Sequence, residues 1–116
     1  EDGYVAIVGR AKDMVITGGL NVYPKEIELF IDDLDDVKES AVIGVPHPDF
    51  GEAVVAVVVP AAEARLSAEA IIAACKSDLA DFKVPKRIIF ANELPRNAMS
   101  KVQKNVLRDQ NVALFN

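Results

Sequence analysis

The chain has 116 residues (12.5 kDa), 51% hydrophobic and 27% charged, with six Gly, six Pro and one cysteine, Cys75. That composition excludes disorder and fits one domain with its own core, while a lone cysteine excludes an intrachain disulfide and no Cys/His spacing outlines a metal site. A net charge of -5 argues against a protein that must neutralise many nucleic-acid phosphates, and the longest apolar run, Ala53 to Val59, is too short to span a bilayer.

In chain order, Glu1-Asp2-Gly3 lacks the basic start of a secretory signal and reads as a turn that follows something upstream. With the lone cysteine, this points to a cytoplasmic protein whose beginning is cut. Tyr4 to Val8 reads as a strand. Gly9-Arg10-Ala11-Lys12-Asp13 is a polar junction, either an exposed turn or part of a site. Met14 to Thr17 and Leu20 to Tyr23 flank Gly18-Gly19, the pattern of a β-hairpin whose two central residues take positive φ. The same glycine pair also admits close approach of a ligand, and the pattern alone does not choose. Pro24 suits the first position of a helix, and Ile27, Phe30, Ile31 and Leu34 give it one apolar face. Asp32, Asp33, Asp35 and Asp36 end that helix; their spacing matches no calcium loop, and they read as a solvated terminus.

Ala41 to Val45 and Ala53 to Val59 are continuous β-branched runs, read as covered strands joined by a loop from Pro46 to Glu52. His47, the only histidine, has no nucleophile or ligand partner near it in sequence. Ser67 is a good N-cap for a helix through about Ala80, with Leu66 and Ile71 as a hydrophobic staple and Cys75 on the apolar face beside Ile71, Ile72 and Leu79. Lys86 to Ala91 reads as a further strand and Val102 to about Leu114 as a terminal helix. There is no internal repeat or Gly/Ser linker, so residues 1–116 are expected to form one α+β domain: a small mixed sheet with an N-terminal β-hairpin and about three flanking helices.

Charge is unevenly spread. Residues 1–82 carry 16 acidic and 6 basic side chains, whereas residues 83–116 carry 7 basic and 2 acidic. The last third is therefore either a solvated basic face or a surface that attracts a small polyanion. Within it, Ser100 and Gln103 have capping-box spacing, which predicts Ser100 as an N-cap and Lys101 as the first helical residue. An ammonium at the positive end of a helix is locally unfavourable unless an anion is bound there, so Lys101 is either an anion ligand or a snorkelling surface lysine.

Three segments carry a resemblance. "GYVAIVGRAKDMVITGGLNVYPKEIE", "GVPHPDFGEAVVAVVV" and "LPRNAMSKVQKNVL" resemble, in order and at the right separations, motifs of the C-terminal domain of adenylate-forming enzymes, the superfamily of acyl-CoA synthetases, peptide-synthetase adenylation domains and luciferases. The pattern "PRN" followed by "KVQKNVLR" is most similar to the malonyl-CoA synthetase branch. The resemblance covers nearly the whole chain. It implies a two-step reaction: a carboxylate, malonate or a related dicarboxylate, attacks the α-phosphate of ATP to give an acyl-adenylate and pyrophosphate, and the thiol of coenzyme A then displaces AMP.

It further implies that this domain is a lid working against a large N-terminal domain absent from the chain, which would hold most of the ATP, the Mg2+ and the acyl group. Carried over residue by residue, Lys101 matches the adenylation lysine, Lys12 the hinge and Arg10 an arginine near the nucleotide. Gly18 and Gly19 match the loop lining the coenzyme A channel; no residue matches a metal ligand. Alone, this chain is then expected to be inactive. Two positions depart from the usual pattern: Ser100 replaces a glycine, which the N-cap reading would tolerate, and Asn21 replaces an arginine of some relatives and is given no role. A reactive lysine at position 101 is also a candidate for a protein lysine acetyltransferase. The rival reading is a stand-alone module, non-catalytic, that regulates a synthetase or binds anions; a further one is an adenylation domain feeding a carrier protein.

Overall fold

The computed structural model describes residues 14–61 and 66–115. These form strands β1 (Val15–Thr17), β2 (Leu20–Val22), β3 (Val37–His47), β4 (Gly51–Pro60) and β5 (Arg87–Phe90), helices α1 (Pro24–Asp32), α2 (Ala68–Asp78) and α3 (Lys104–Gln110), and a 3-10 turn at Asp81–Lys83. The strand expected over Tyr4 to Val8 lies outside the described residues.

β3 and β4 form a long antiparallel ribbon, from Val37 opposite Pro60 to His47 opposite Gly51. The other edge of β4 takes two shorter strands in succession. β1 touches it through one pair, Thr17 with Gly51, and carries β2 beyond it; β5 lies parallel to it from Val55–Arg87 to Val58–Phe90. The α+β architecture read from sequence, a mixed sheet with an N-terminal hairpin and three flanking helices, is the one observed.

Alternate residues of a strand face opposite sides of a sheet. Val54, Ala56 and Val58 therefore join Val42, Val15 and Val22 beneath Ile27 and Ile31 of α1 and Ile71 and Cys75 of α2. Val55, Val57 and Val59 join Ala41, Ile43 and Val45 beneath Leu94 and Leu107. With both faces covered, the run Ala53 to Val59 needs no polar alternation, and each of its residues is at most 2% exposed. Burial also pushes the Cys75 thiol pKa up, which keeps it neutral and unreactive, as its place on the apolar face implied.

The outer edge of β3 is blunted by carboxylates. Glu28 Oε2 accepts the Val42 N–H at 2.8 Å, and the Ser40 hydroxyl donates to Asp32 Oδ1 at 2.6 Å. Acids at an edge discourage pairing with another strand. Lys104 Nζ reaches the same Glu28 oxygen at 2.7 Å, which ties the start of α3 to α1 around that edge. All four aspartates that close α1 are exposed, as a solvated terminus requires.

Several boundaries differ from the sequence reading: β3 begins at Val37 instead of Ala41, β5 is trimmed by one residue at each end, and three further differences have local causes. α2 stops at Asp78, because Leu79 turns extended while its N–H bonds to Cys75 O. The expected Pro46–Glu52 loop shrinks to Pro48-Asp49-Phe50, since pairing continues through Pro46–Glu52 and His47–Gly51. Pro46 is tolerated because an edge strand has an unpaired side on which a missing N–H removes no ladder bond. The terminal helix spans only Lys104–Gln110 instead of Val102 to Leu114, because residues 95–103 are taken up by a hairpin. His47 serves that first turn: its Nδ1 accepts the Asp49 N–H at 3.0 Å and its ring stacks on Phe50, 4.6 Å between centroids. Among the described residues, no helix is long and apolar enough to cross a membrane.

Candidate functional site

Gly18 and Gly19 form the tip of the β1–β2 hairpin, with φ of 58° and 83°. These are the angles of a two-residue type I′ turn, which L side chains adopt reluctantly. A Cβ on Gly18 would approach nothing nearer than Phe50 Cδ1 at 3.8 Å, and one on Gly19 would meet nothing within 4 Å. The glycines are thus demanded by backbone angles, and the space above the turn is open. The Gly18 N–H donates to Phe50 O at 2.9 Å, so the turn is seated on the β3–β4 turn.

Beside it lies a cation–aromatic shelf. Lys86 Nζ sits 4.8 Å from the centroid of the Phe50 ring, and Phe115 tilts against His47 at 4.9 Å with Arg87 over its face. Sequence reading singled out Gly18 and Gly19 and counted Lys86 among the cations of the last third, but missed Phe50 and the grouping, because nothing in local spacing links positions 18, 50 and 86.

Lys101 stands on a different device from the one expected. Ser100 is no N-cap: its φ is 65°, in the left-handed region, and α3 begins only at Lys104 after Gln103. Residues 97–101 instead make a tight hairpin. The Asn97 N–H donates to Lys101 O at 3.0 Å, the Ser100 N–H to Asn97 O at 2.9 Å, and Arg96 pairs with Val102. The Asn97 side chain completes it, with Oδ1 accepting the Met99 and Lys101 N–H groups at 2.9 and 3.1 Å. A three-residue loop of this kind calls for a left-handed third residue. The capping-box spacing therefore lost to a turn that Asn97 captures, and the argument from an ammonium at a helix start falls with it. What remains is an exposed lysine beside Met99, itself 78% exposed, with no ion pair to a described residue.

Ser100→Gly should relieve left-handed strain of about 1–2 kcal/mol, offset by about 0.5–1 kcal/mol of extra freedom in the unfolded chain. A net gain in stability of up to about 1 kcal/mol is expected by urea unfolding; a loss would show that the hydroxyl makes a compensating bond.

The basic last third is less of a field than its composition suggests. Lys83 binds both oxygens of Glu26 at 3.0 Å, Lys104 binds Glu28, and Arg96 donates to both Glu39 oxygens from Nη1 and Nη2. The Glu39 hydrogen bonds hold Arg96 more firmly protonated than usual. Acidic side chains from the first two thirds thus neutralise three of these seven cations, while Lys86 and Arg87 lie over aromatic rings. Among the described residues, no group of three or more His, Cys, Asp or Glu side chains is placed to hold a metal ion.

The two candidate segments are anchored far apart. The Lys101 hairpin is tied through Arg96 to Glu39, near the start of β3, whereas the glycine turn is tied to Phe50, next to the far end of the ribbon where His47 pairs with Gly51. His47 lies eight residues along β3 from Glu39, about 26 Å at the usual rise of an extended strand. Arg10 and Lys12, expected near the nucleotide and at the hinge, lie outside the described residues.

Residues 26–101 match the AMP-binding enzyme C-terminal domain family. The chain is 51% identical over 108 residues to a 3-[(3aS,4S,7aS)-7a-methyl-1,5-dioxo-octahydro-1H-inden-4-yl]propanoyl:CoA ligase of Rhodococcus jostii, covering 93% of this chain and 21% of that protein. It is 46% identical over 110 residues to the long-chain-fatty-acid–CoA ligase FadD13 of Mycobacterium tuberculosis, covering 95% of this chain and 22% of that protein. Among solved structures, apo MatB from Rhodopseudomonas palustris superposes with a TM-score of 0.89 at 56% identity, over 93% of this chain and 22% of that one. The chain spans about a fifth of the length of the curated relatives it matches.

Proposed function

This chain belongs to the AMP-binding enzyme C-terminal domain family, and from that premise we propose that it is the mobile C-terminal domain of an ATP-dependent acyl-CoA ligase. In this reading Lys101 serves the first half-reaction and the Gly18-Gly19 turn the second. In the first, a carboxylate oxygen attacks the α-phosphorus of ATP and pyrophosphate leaves; the Lys101 ammonium stabilises the negative charge that builds on the transferring oxygens. In the second, the coenzyme A thiol attacks the acyl carbonyl and AMP leaves, with the side-chain-free turn giving the pantetheine arm passage and Phe50 and Lys86 offering a ring and a cation to its nucleotide end.

The observation that carries this reading is the separation of the two segments. Anchored at opposite ends of the β3–β4 ribbon, they are poorly placed to serve one reaction centre at once, so a domain that uses both has to turn between steps. Lys12 is the proposed hinge and Arg10 a nucleotide contact. Mg2+ would be held mainly by the N-terminal domain, since among the described residues no group of three or more His, Cys, Asp or Glu side chains could hold it.

Malonate or a related dicarboxylate is the proposed acid, from the resemblance of the Lys101 segment to malonyl-CoA synthetases. Ligases named for a bicyclic propanoate and for long-chain fatty acids are also at least 46% identical to this chain, so the choice of acid is put to the whole enzyme. The test uses the full-length gene product with ATP, malonate, methylmalonate, acetate and octanoate. Malonate-dependent pyrophosphate release followed by coenzyme A-dependent AMP release is expected. A more than tenfold preference for another acid would remove malonate, and transfer only to a phosphopantetheinyl carrier protein would remove the coenzyme A ligase. Peptide mass spectrometry of the same preparation, from cytoplasmic extract, reads whether exposed Lys101 is acetylated, a change that would cancel its charge. A lysine unmodified under every growth condition removes the acetyltransferase as a partner.

A further inference from the structure

Glu52 opens the buried part of β4, and its side chain turns back across the sheet. One carboxylate oxygen, Oε1, accepts the Ile16 N–H of β1 at 2.9 Å. The other, Oε2, lies 2.8 Å from where a Cβ on Gly44 would stand, and Val15 Cγ1 lies 3.0 Å from the same point. Gly44 is in the middle of β3, opposite Val54, and has no positive φ, so neither a turn nor a strained backbone accounts for a glycine there. Room for the Glu52 carboxylate, and beside it for the Val15 side chain, does.

Val15 and Val22 bury the inner face of the hairpin in the core, but its hydrogen bonds to the sheet are few. β1 meets the sheet through the single pair Thr17–Gly51 and the bond from the Gly18 N–H to Phe50 O. Apolar burial holds such a strand without fixing its direction, one ladder pair fixes that weakly, and a carboxylate receiving a backbone N–H adds one of the stronger directional tethers.

We infer that Glu52 is a positioning residue: cradled by Gly44, it sets the glycine hairpin against the sheet and so fixes where the Gly18-Gly19 turn points. Its catalytic consequence rests on the reading of that turn as part of the thioester-forming step.

In the full-length ligase, Glu52→Leu is expected to speed amide hydrogen exchange from Ile16 to Leu20 about tenfold. Thioester formation should slow about tenfold, with adenylate formation within about twofold of wild type. Glu52→Gln, whose amide oxygen can still accept from Ile16, should recover most of both losses. Gly44→Ala displaces the carboxylate from the opposite side and should reproduce the same split, which serves if Glu52→Leu fails to fold. Unchanged exchange at Ile16 to Leu20, or equal slowing of both half-reactions, overturns the proposal. Faster exchange confined to the hairpin, with both half-reactions at wild-type rates, upholds Glu52 as its anchor and removes Gly18 and Gly19 from the thioester step.

Discussion

On the proposed role of Lys101 in adenylation, Lys101→Ala in the full-length gene product is expected to slow adenylate formation by about 10²–10³-fold, the usual cost of removing one preorganised charge from a transition state. Thioester formation from preformed acyl-adenylate should change by less than about threefold, because an interaction made only in the first transition state is lost only there. The geometry supports so clean a division. Lys101 sits on a hairpin fixed by Asn97 and tied to Glu39, and its ammonium is engaged by no carboxylate of a described residue, so its removal leaves no partner stranded. Carboxylate-dependent pyrophosphate release and coenzyme A-dependent AMP release, measured separately, read the two steps. Equal losses in both would mean that Lys101 acts through the fold and not on the reacting phosphate.

The largest expected effect on stability is at Glu28, a residue outside the proposed chemistry. Its carboxylate takes the Val42 N–H and the Lys104 ammonium, with the two side chains only 16% and 19% exposed. Glu28→Ala removes both contacts, leaving an edge-strand amide to find another acceptor and taking one carboxylate from a largely buried ammonium, at a cost of about 1–3 kcal/mol. Glu28→Gln keeps an acceptor for Val42 and loses only the charge, so about half that cost is expected. Urea midpoints of the 116-residue chain distinguish them. If both variants fall within about 0.5 kcal/mol of wild type, the tie between α1 and α3 is ornamental, as many ion pairs are.

Much of the fold was legible because its causes are local. Gly18-Gly19 between two apolar triplets demands a hairpin of positive φ; Pro24 with Ile27 and Ile31 starts and faces a helix; Ser67 caps α2 through Ala70 N–H at 3.1 Å. The family, too, lay in the order and spacing of three motifs. Where local signals competed, sequence reading misjudged the outcome. Ser100 and Gln103 have the spacing of a capping box, but the winner was a hairpin closed by the Asn97 side chain and held from 57 residues away, where Arg96 meets Glu39. The serine that looked tolerable as a cap is in fact held in a left-handed conformation, a harder substitution for glycine than a cap would have been.

By itself, then, the sequence determined the kinds of element and their faces, since hydrophobic period, proline placement and glycine pairs act within a few residues. Tertiary structure alone decided what joins what. Glu52 reaches Ile16, Glu28 reaches Lys104, and Lys86 covers Phe50 because the β3–β4 ribbon and its neighbours bring side chains from distant positions within 5 Å. It also decided which charges meet: Lys83, Arg96 and Lys104 of the basic last third pair with Glu26, Glu39 and Glu28 of the acidic part, so the imbalance along the chain overstates the free positive charge of that segment. The physical reason is that charge and hydrogen-bond partners are chosen by distance in space, which no spacing along the chain encodes until the ribbon has formed.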